Sequence, residues 1–212
     1  MDTTELLTMF RSEVDDAVQP YLVSDDLVYA YIDDAQKIFC RWTEGVEDGR
    51  SFSLTIAPGN EWYDLDPSIL KLRKAYDAST GQPIRIVNTE KADFYGIVFD
   101  GRPGPIKALV AGIEKHALRA WPMPSVAATI PLEVFRLPRT VEAGDDLEID
   151  EQHQQHLLMW VKHRFYGIKD SEVYDKRAAE EMKQGFTDYC AAAKKEQERA
   201  RRSAGTVNYG GI

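Results

Sequence analysis

The residues able to do chemistry fall into three groups. Acid pairs stand at Asp15-Asp16, Asp25-Asp26, Asp33-Asp34 and Asp145-Asp146. Carboxylate clusters can hold magnesium for phosphoryl transfer or hydrolysis. Adjacent residues on a helix diverge by about 100°, however, so each pair is a poor chelate, and no EF-hand spacing accompanies them. His153, His156 and His163 form the second group. On one helix His156 and His163 share a face and His153 lies near it. Three histidines can ligate zinc, but no HExxH pattern is present, and the ordinary alternative is a polar helix start followed by one exposed histidine. Cys40 and Cys190 fall on apolar helix faces without a neighbouring histidine, the setting of buried thiols rather than nucleophiles. The chain has no GxSxG elbow and no GxxxxGK or GxGxxG phosphate loop. No catalytic residue, metal or cofactor is expected from these patterns.

The chemistry-bearing residues sit in an ordinary globular composition. Of 212 residues, 43% are hydrophobic and 29% charged, which excludes a disordered or collagen-like chain. Two distant cysteines make no disulfide framework. Apolar runs are too short to span a membrane, and the opening MDTTELLTMF lacks the basic and apolar regions of a secretion signal. A soluble protein of a reducing compartment is the expectation. The net charge is −9. Residues 1–48 hold twelve acids against three bases, so they carry all of it, and the remainder balances at 23 against 23. An acidic first lobe would repel phosphates, which disfavours general nucleic-acid gripping.

Hydrophobic periodicity divides the chain into blocks. Residues 1–48 read as an acidic helical part. Leu7, Phe10, Val14 and Val18 recur at helical spacing after an Asp2 or Thr3 cap, until Gln19-Pro20 breaks the pattern. Ser24 caps a second helix, with Asp25 and Asp26 at its positive end and Gly45 as the stop. Its stripe is Leu27, Tyr31, Ala35, Ile38 and Trp42, widened by Val28, Ile32 and Phe39. The period then shortens to two over residues 50–138. Phe52 to Ile56 and Trp62 to Leu65 flank the turn Pro58-Gly59-Asn60. Ile69 to Tyr76 and Ile84 to Val87 flank a second turn, and Ile106 to Ala111 and His116 to Trp121 make a third hairpin, joined by the rigid connector Asp100 to Pro105. With Ala128 to Leu137 added, these strands predict an antiparallel meander.

Residues 139–150 read as an acidic linker. Residues 150–202 then predict a helical hairpin packing on the N-terminal helices. Asp150 caps its first helix, which carries Leu157, Leu158, Val161 and Phe165 and stops at Gly167. Asp170 or Ser171 opens the second, with a stripe of Tyr174, Ala178, Met182, Phe186, Tyr189 and Ala193. Lys194 to Arg202 are a basic run that could touch nucleic acid, though their ordinary role is to complement the negative end of that helix. Residues 203–212 form an extended arm whose Val207, Tyr209 and Ile212 are unusually apolar for a free tail, as a partner-docking segment would be. The fold class is α+β: helices at both ends forming a bundle, an inserted antiparallel sheet, and the arm.

Several ordered blocks carry a family resemblance. They are Tyr21 to Ala35 (YLVSDDLVYAYIDDA), Ile69 to Arg73 followed by Ser79 to Pro83, Val134 to Pro138, Asp150 to Trp160 (DEQHQQHLLMW), and the ending Tyr209-Gly210-Gly211-Ile212. In this order, over nearly the whole length, the chain resembles the head-to-tail adaptor proteins of short-tailed double-stranded DNA phages. The resemblance implies a structural virion protein at the neck, not an enzyme. It implies a homo-oligomeric ring, commonly of twelve copies, beneath the portal protein. Such a ring extends the DNA channel and receives the tail nozzle or tail fibres, and genomic DNA passes through it without specific binding. It has no cofactor and no membrane contact. Val207, Tyr209, Gly210, Gly211 and Ile212 are then the candidate contacts to the portal or a neighbouring subunit. Asp25, Asp26, Asp33 and Asp34 are the candidate channel-facing or partner-facing acids. The arm is less basic than in many such adaptors, since Ser203-Ala204-Gly205 follows Arg202 directly. The rival functions are a metal-dependent hydrolase built on the acid clusters and a cytosolic binding module that offers the arm as a peptide.

Overall fold

The computed structural model describes residues 1–169 and 172–203. In chain order its elements are α1 (Thr3–Glu13), α2 (Asp25–Trp42), β1 (Val46–Ile56), β2 (Trp62–Asp64), β3 (Ile69–Tyr76), β4 (Pro83–Asn88), α3 (Thr89–Phe94) and β5 (Pro103–Gly104). There follow β6 (Ala108–Ala111), β7 (Ala117–Trp121), β8 (Met123–Pro124), β9 (Ala128–Arg136), α4 (Glu151–Gln154), α5 (Leu157–Tyr166) and α6 (Lys176–Ser203). This is a mixed α+β chain with N-terminal helices, a large antiparallel-rich sheet and a long C-terminal helix, as the periodicity predicts. It forms two compact units, one of Met1–Gly45 with Pro138–Ile212 and one of Val46–Leu137.

In the helical unit, α1 starts at a capping box: the Asp2 carboxylate accepts from the Glu5 N–H at 2.7 Å and Glu5 accepts from the Asp2 N–H at 3.1 Å. The helix ends at Glu13, earlier than the stripe through Val18 suggests, because Asp15 turns the chain with φ of 56°. Val18 is left exposed. Ser24 caps α2 as expected, accepting from the Leu27 N–H. The buried face of α2 is Val28, Ile32, Ala35 and Phe39: Ala35 lies at the centre of the expected stripe and the other three at its edge, while Leu27 is exposed.

Two expectations for the second half of this unit are corrected. The acidic stretch 139–150 is not a bare linker. Val141, Leu147 and Ile149 are buried, the Thr3 hydroxyl donates to the Glu142 carbonyl at 2.7 Å, and the Gln36 amide donates to the Arg139 carbonyl at 2.8 Å. Acidic composition hid the three buried apolar residues set among the charges. Asp150 makes no side-chain cap bond, and the helix it was expected to open is split into α4 and α5 at Gln155-His156. Gly167 does end α5. Asp170 and Ser171 lie outside the described residues. The first turn of α6 is held instead by Asp175, whose carboxylate accepts from the N–H groups of Arg177 and Ala178 at 2.9 and 3.0 Å.

In the other unit the seven-stranded order is β1-β9-β3-β4-β6-β7-β2, with β5 and β8 paired separately. The second and third predicted hairpins are present as β3–β4 and β6–β7. Gly81, at φ of 69°, closes the first of these through a bond to the Asp77 carbonyl. The strand order is not that of a simple meander. β4 and β6 run parallel, with α3 in the connection between them, where no helix is expected. The first predicted hairpin does not form. β1 pairs with β9, its Phe52, Leu54 and Ile56 opposite Leu132, Ile130 and Ala128, while β2 pairs with β7. The Asn60 N–H closes the turn after β1 on the Ala57 carbonyl, and the Gly59 N–H donates to the Pro124 carbonyl, which ties that turn to β8. The expected connector holds β5, hydrogen-bonded to β8. Leu54, Ile56, Leu109, Leu118, Ile130 and Leu132 form the main core of the sheet. Val87, Ala92, Ile97, Ala108 and Val110 form a second cluster, so β6 is buried on both faces.

Candidate interaction surfaces

The four acids singled out on α2 have different surroundings. Arg11, itself 5% exposed, reaches from α1 to pair with Asp25 and buried Asp16, donates to the Val23 carbonyl at 2.9 Å, and lies 3.7 Å from the Tyr21 ring centre. Asp33 pairs with Lys37 at 2.6 Å and accepts from the Gln36 amide at 3.1 Å and the Val141 N–H at 3.3 Å. Asp34 accepts from the Trp160 indole at 2.8 Å and pairs with Arg164 at 3.3 Å. Asp26 is exposed and makes no ion pair among the described residues. It lines a groove of about 430 Å³ with Tyr29, Asp33 and Thr140. The Asp33–Lys37 pair could be read from its spacing of four. The partners of Asp25 and Asp34 are supplied by other helices and leave no local signal.

The histidines do not converge. His153 is buried, its Nδ1 2.8 Å from the Tyr189 hydroxyl, and burial pushes its pKa down. His156 stacks on the Tyr189 ring at 3.8 Å, and His163 Nδ1 lies 2.9 Å from the Ala179 carbonyl. The expected pattern of a polar start and one exposed histidine is corrected: α4 and α5 bury their histidines wholly or partly against α6. Among the described residues no three His, Cys, Asp or Glu side chains are grouped closely enough to hold a metal ion. Cys40 and Cys190 are both buried, and burial pushes the Cys190 thiol up to about 12. Among the described residues no helix is long and apolar enough to cross a membrane.

The family model described as SU10 adaptor protein matches residues 1–209. The chain belongs to that family. It has the structural role of a phage adaptor. Comparison with curated proteins returned no match.

In the adaptor, three helices meet at an aromatic junction. Trp42 of α2, Trp160 of α5 and Phe186 of α6 lie with ring centres 5.4 to 5.9 Å apart. The arm residues Val207, Tyr209, Gly210, Gly211 and Ile212 lie outside the described residues. Sequence reasoning passed over two exposed apolar stretches of the adaptor. One is Val18, Tyr21, Leu22 and Leu27 in the helical unit, and the other is Phe94, Tyr95 and Val98 in the sheet unit.

Proposed function

We propose that this adaptor forms a homo-oligomeric ring, of twelve copies, beneath the portal protein of a short-tailed double-stranded DNA phage. The ring sits at the neck of the virion, extends the DNA channel, and gives the tail nozzle or fibres a surface to attach to. The observation that carries the reading is the adaptor family match along residues 1–209. Physical features of the chain support it. A ring wall needs stiff elements with two faces. The 28-residue α6 would span about 42 Å at ~1.5 Å per residue. Phe186, Cys190 and Ala193 bury one of its faces while Glu180, Lys183, Gln184 and Thr187 stay partly or fully exposed on others.

The segment with Val207, Tyr209, Gly210, Gly211 and Ile212 would bind the portal or a neighbouring subunit. Asp25, Asp26, Asp33 and Asp34 would contribute to an acidic wall facing the channel or a basic partner. Such a wall repels phosphate and lets DNA slide rather than stick. Native mass measurement of the protein mixed with its portal tests the reading. A complex with twelve adaptor copies is expected, and the protein truncated before Ala204 should stay folded and lose or weaken attachment. A mixture in which portal and adaptor never associate would overturn it.

A further inference from the structure

Two exposed surfaces carry opposite charge and matching apolar character. The sheet unit, Val46–Leu137, holds eleven acidic and eleven basic residues, so the whole −9 belongs to the helical unit. Within the neutral sheet unit, a groove of about 490 Å³ is lined by Arg85 of β4, Lys107, Tyr95 and Trp121, over the buried Ile84 and Ile97. That volume is in the range of pockets that take a side chain or a small ligand. The Arg85 guanidinium lies 4.4 Å from the Tyr95 ring centre, and the Trp121 indole donates to the Val98 carbonyl at 2.9 Å, which fixes the groove wall. Among the described residues neither Arg85 nor Lys107 makes an ion pair. Beside the groove, Phe94 is 84% exposed and Val98 is 64% exposed. Exposure of that extent on adjacent large apolar residues marks an interaction surface.

The helical unit exposes the counterpart. Val18 is 81% exposed, and Tyr21, Leu22 and Leu27 are exposed with it. Asp15 and Asp26 flank these residues, both exposed and without an ion pair among the described residues. The segment is anchored rather than loose, since Arg11 holds Asp16, Val23 and Asp25 beneath it and the Leu22 N–H donates to Asp16 at 2.9 Å.

We propose that the acidic, apolar segment Asp15–Leu27 of one copy docks in the Arg85–Lys107 groove of the next. Val18 and Leu22 would pack on Phe94, Tyr95 and Val98, while Asp15 and Asp26 meet Lys107 and Arg85. Apolar burial supplies the attraction and the charges fix the register and exclude wrong partners. Each copy contributes two different surfaces, so the contact is heterologous, the kind that closes into a ring when the rotation between copies permits. Nucleic acid is the less suited occupant of the groove, because two cations in a unit of zero net charge give a weak phosphate field. The inference rests on the ring reading above and names the surfaces that would make it.

Charge reversal in two complementary variants tests it. Variant one carries Arg85→Glu and Lys107→Glu. Variant two carries Asp26→Lys with Asp15→Asn, asparagine being the substitution that the positive φ of Asp15 accepts. Wild-type protein should sediment as larger species as its concentration rises. Each variant alone should sediment as a monomer, and an equimolar mixture should recover association, since each acidic surface then meets a cationic one. Thermal melts of both variants close to that of the wild type would show that folding is retained. If either reversal variant fails to fold, Arg85→Gln with Lys107→Gln and Asp26→Asn replace it, and weakened association is expected. Variants that associate like the wild type, or a mixture that stays monomeric, would overturn the proposed surfaces. If such variants still ring the portal, the adaptor reading survives and only this interface fails. A wild type that never self-associates, with or without portal, sinks both. Binding of a fluorescent single-stranded oligonucleotide that is lost in variant one would make the groove a nucleic-acid site and also overturn the proposal.

Discussion

The Asp34 carboxylate accepts a hydrogen bond from the Trp160 indole nitrogen at 2.8 Å, joining α2 to α5 across 126 positions of sequence. Arg164, one turn further along α5, approaches the same carboxylate oxygen at 3.3 Å. An acid that composition suggests as a surface charge is therefore also a fastener between helices.

Removing that fastener should cost stability. Asp34→Ala leaves the indole N–H of nearly buried Trp160 without its acceptor, a loss on the order of 1–3 kcal/mol. Asp34→Asn keeps an acceptor oxygen and should cost less. Chemical denaturation of the two variants beside the wild type checks the order. Equal midpoints for Asp34→Ala and the wild type would show that the bond contributes nothing. This measurement also bears on the acidic-wall reading, because a drop in infectivity of an Asp34 variant reports channel charge only if its stability is unchanged.

His153 predicts a pH dependence of opposite origin. Burial disfavours its charged form and pushes its pKa down, although the charges of Asp150 and Glu196 oppose this and that of His156 adds to it. The unfolded chain therefore takes up a proton before the folded chain does. The stabilising contribution is complete above the ordinary histidine range, near 6.5, and is lost as pH falls through the lower folded value. In that window the loss can reach about 1.4 kcal/mol per pH unit. Denaturation midpoints from pH 8 to 5 should fall for the wild type and fall less for His153→Gln. Parallel slopes for the two proteins would refute this assignment.

Local features of the fold were legible in the sequence and long-range ones were not. The Ser24 cap and the turn at Gly81 each involve residues a few positions apart and were readable from residue type and spacing, whereas for α1 the sequence left Asp2 or Thr3 open and the structure chooses Asp2. The β1–β9 pairing was not readable, because Leu54 meets Ile130 at a separation of 76 positions that no local pattern reports, and the nearer β2 offered a plausible return strand. The partners of Asp25 and Asp34 were hidden for the same reason: Arg11 and Trp160 belong to other helices. The packing of 139–150 was masked by its exposed acids, which surround the three buried residues Val141, Leu147 and Ile149.

The Cys190 thiol gives a prediction about reactivity. Burial pushes its pKa up to about 12, and the thiolate is the reactive form. In the folded protein at pH 8 a soluble maleimide should label Cys190 far more slowly than in the unfolded chain, with peptide mass mapping separating Cys190 from Cys40. Equal labelling rates with and without denaturant would contradict the burial of this part of α6.

The sheet unit holds its own buried charge pair, and it sets a second, more acidic pH window. The Arg136 Nε donates to Asp48 at 2.9 Å, and the N–H groups of Arg50 and Ser51 donate to its other oxygen at 3.0 and 2.9 Å. Both side chains are 9% exposed. Burial works against ionisation of Asp48, but the guanidinium and the two N–H groups outweigh it and hold the carboxyl well below the usual carboxylate range. The contribution to stability is present above the unfolded value, near 3.9, and is lost as pH falls from there toward the folded value. Asp48→Asn preserves an acceptor for the backbone donors and removes only the charge facing Arg136. It should cost on the order of 3 kcal/mol at pH 7, the range for breaking one side of a buried pair. The gap between variant and wild type should narrow as pH falls below about 4, because the unfolded wild-type chain then takes up a proton that the folded carboxylate, held lower, does not. A gap that stays constant from pH 7 to pH 2.5 would show that Asp48 acts through shape and not through its charge.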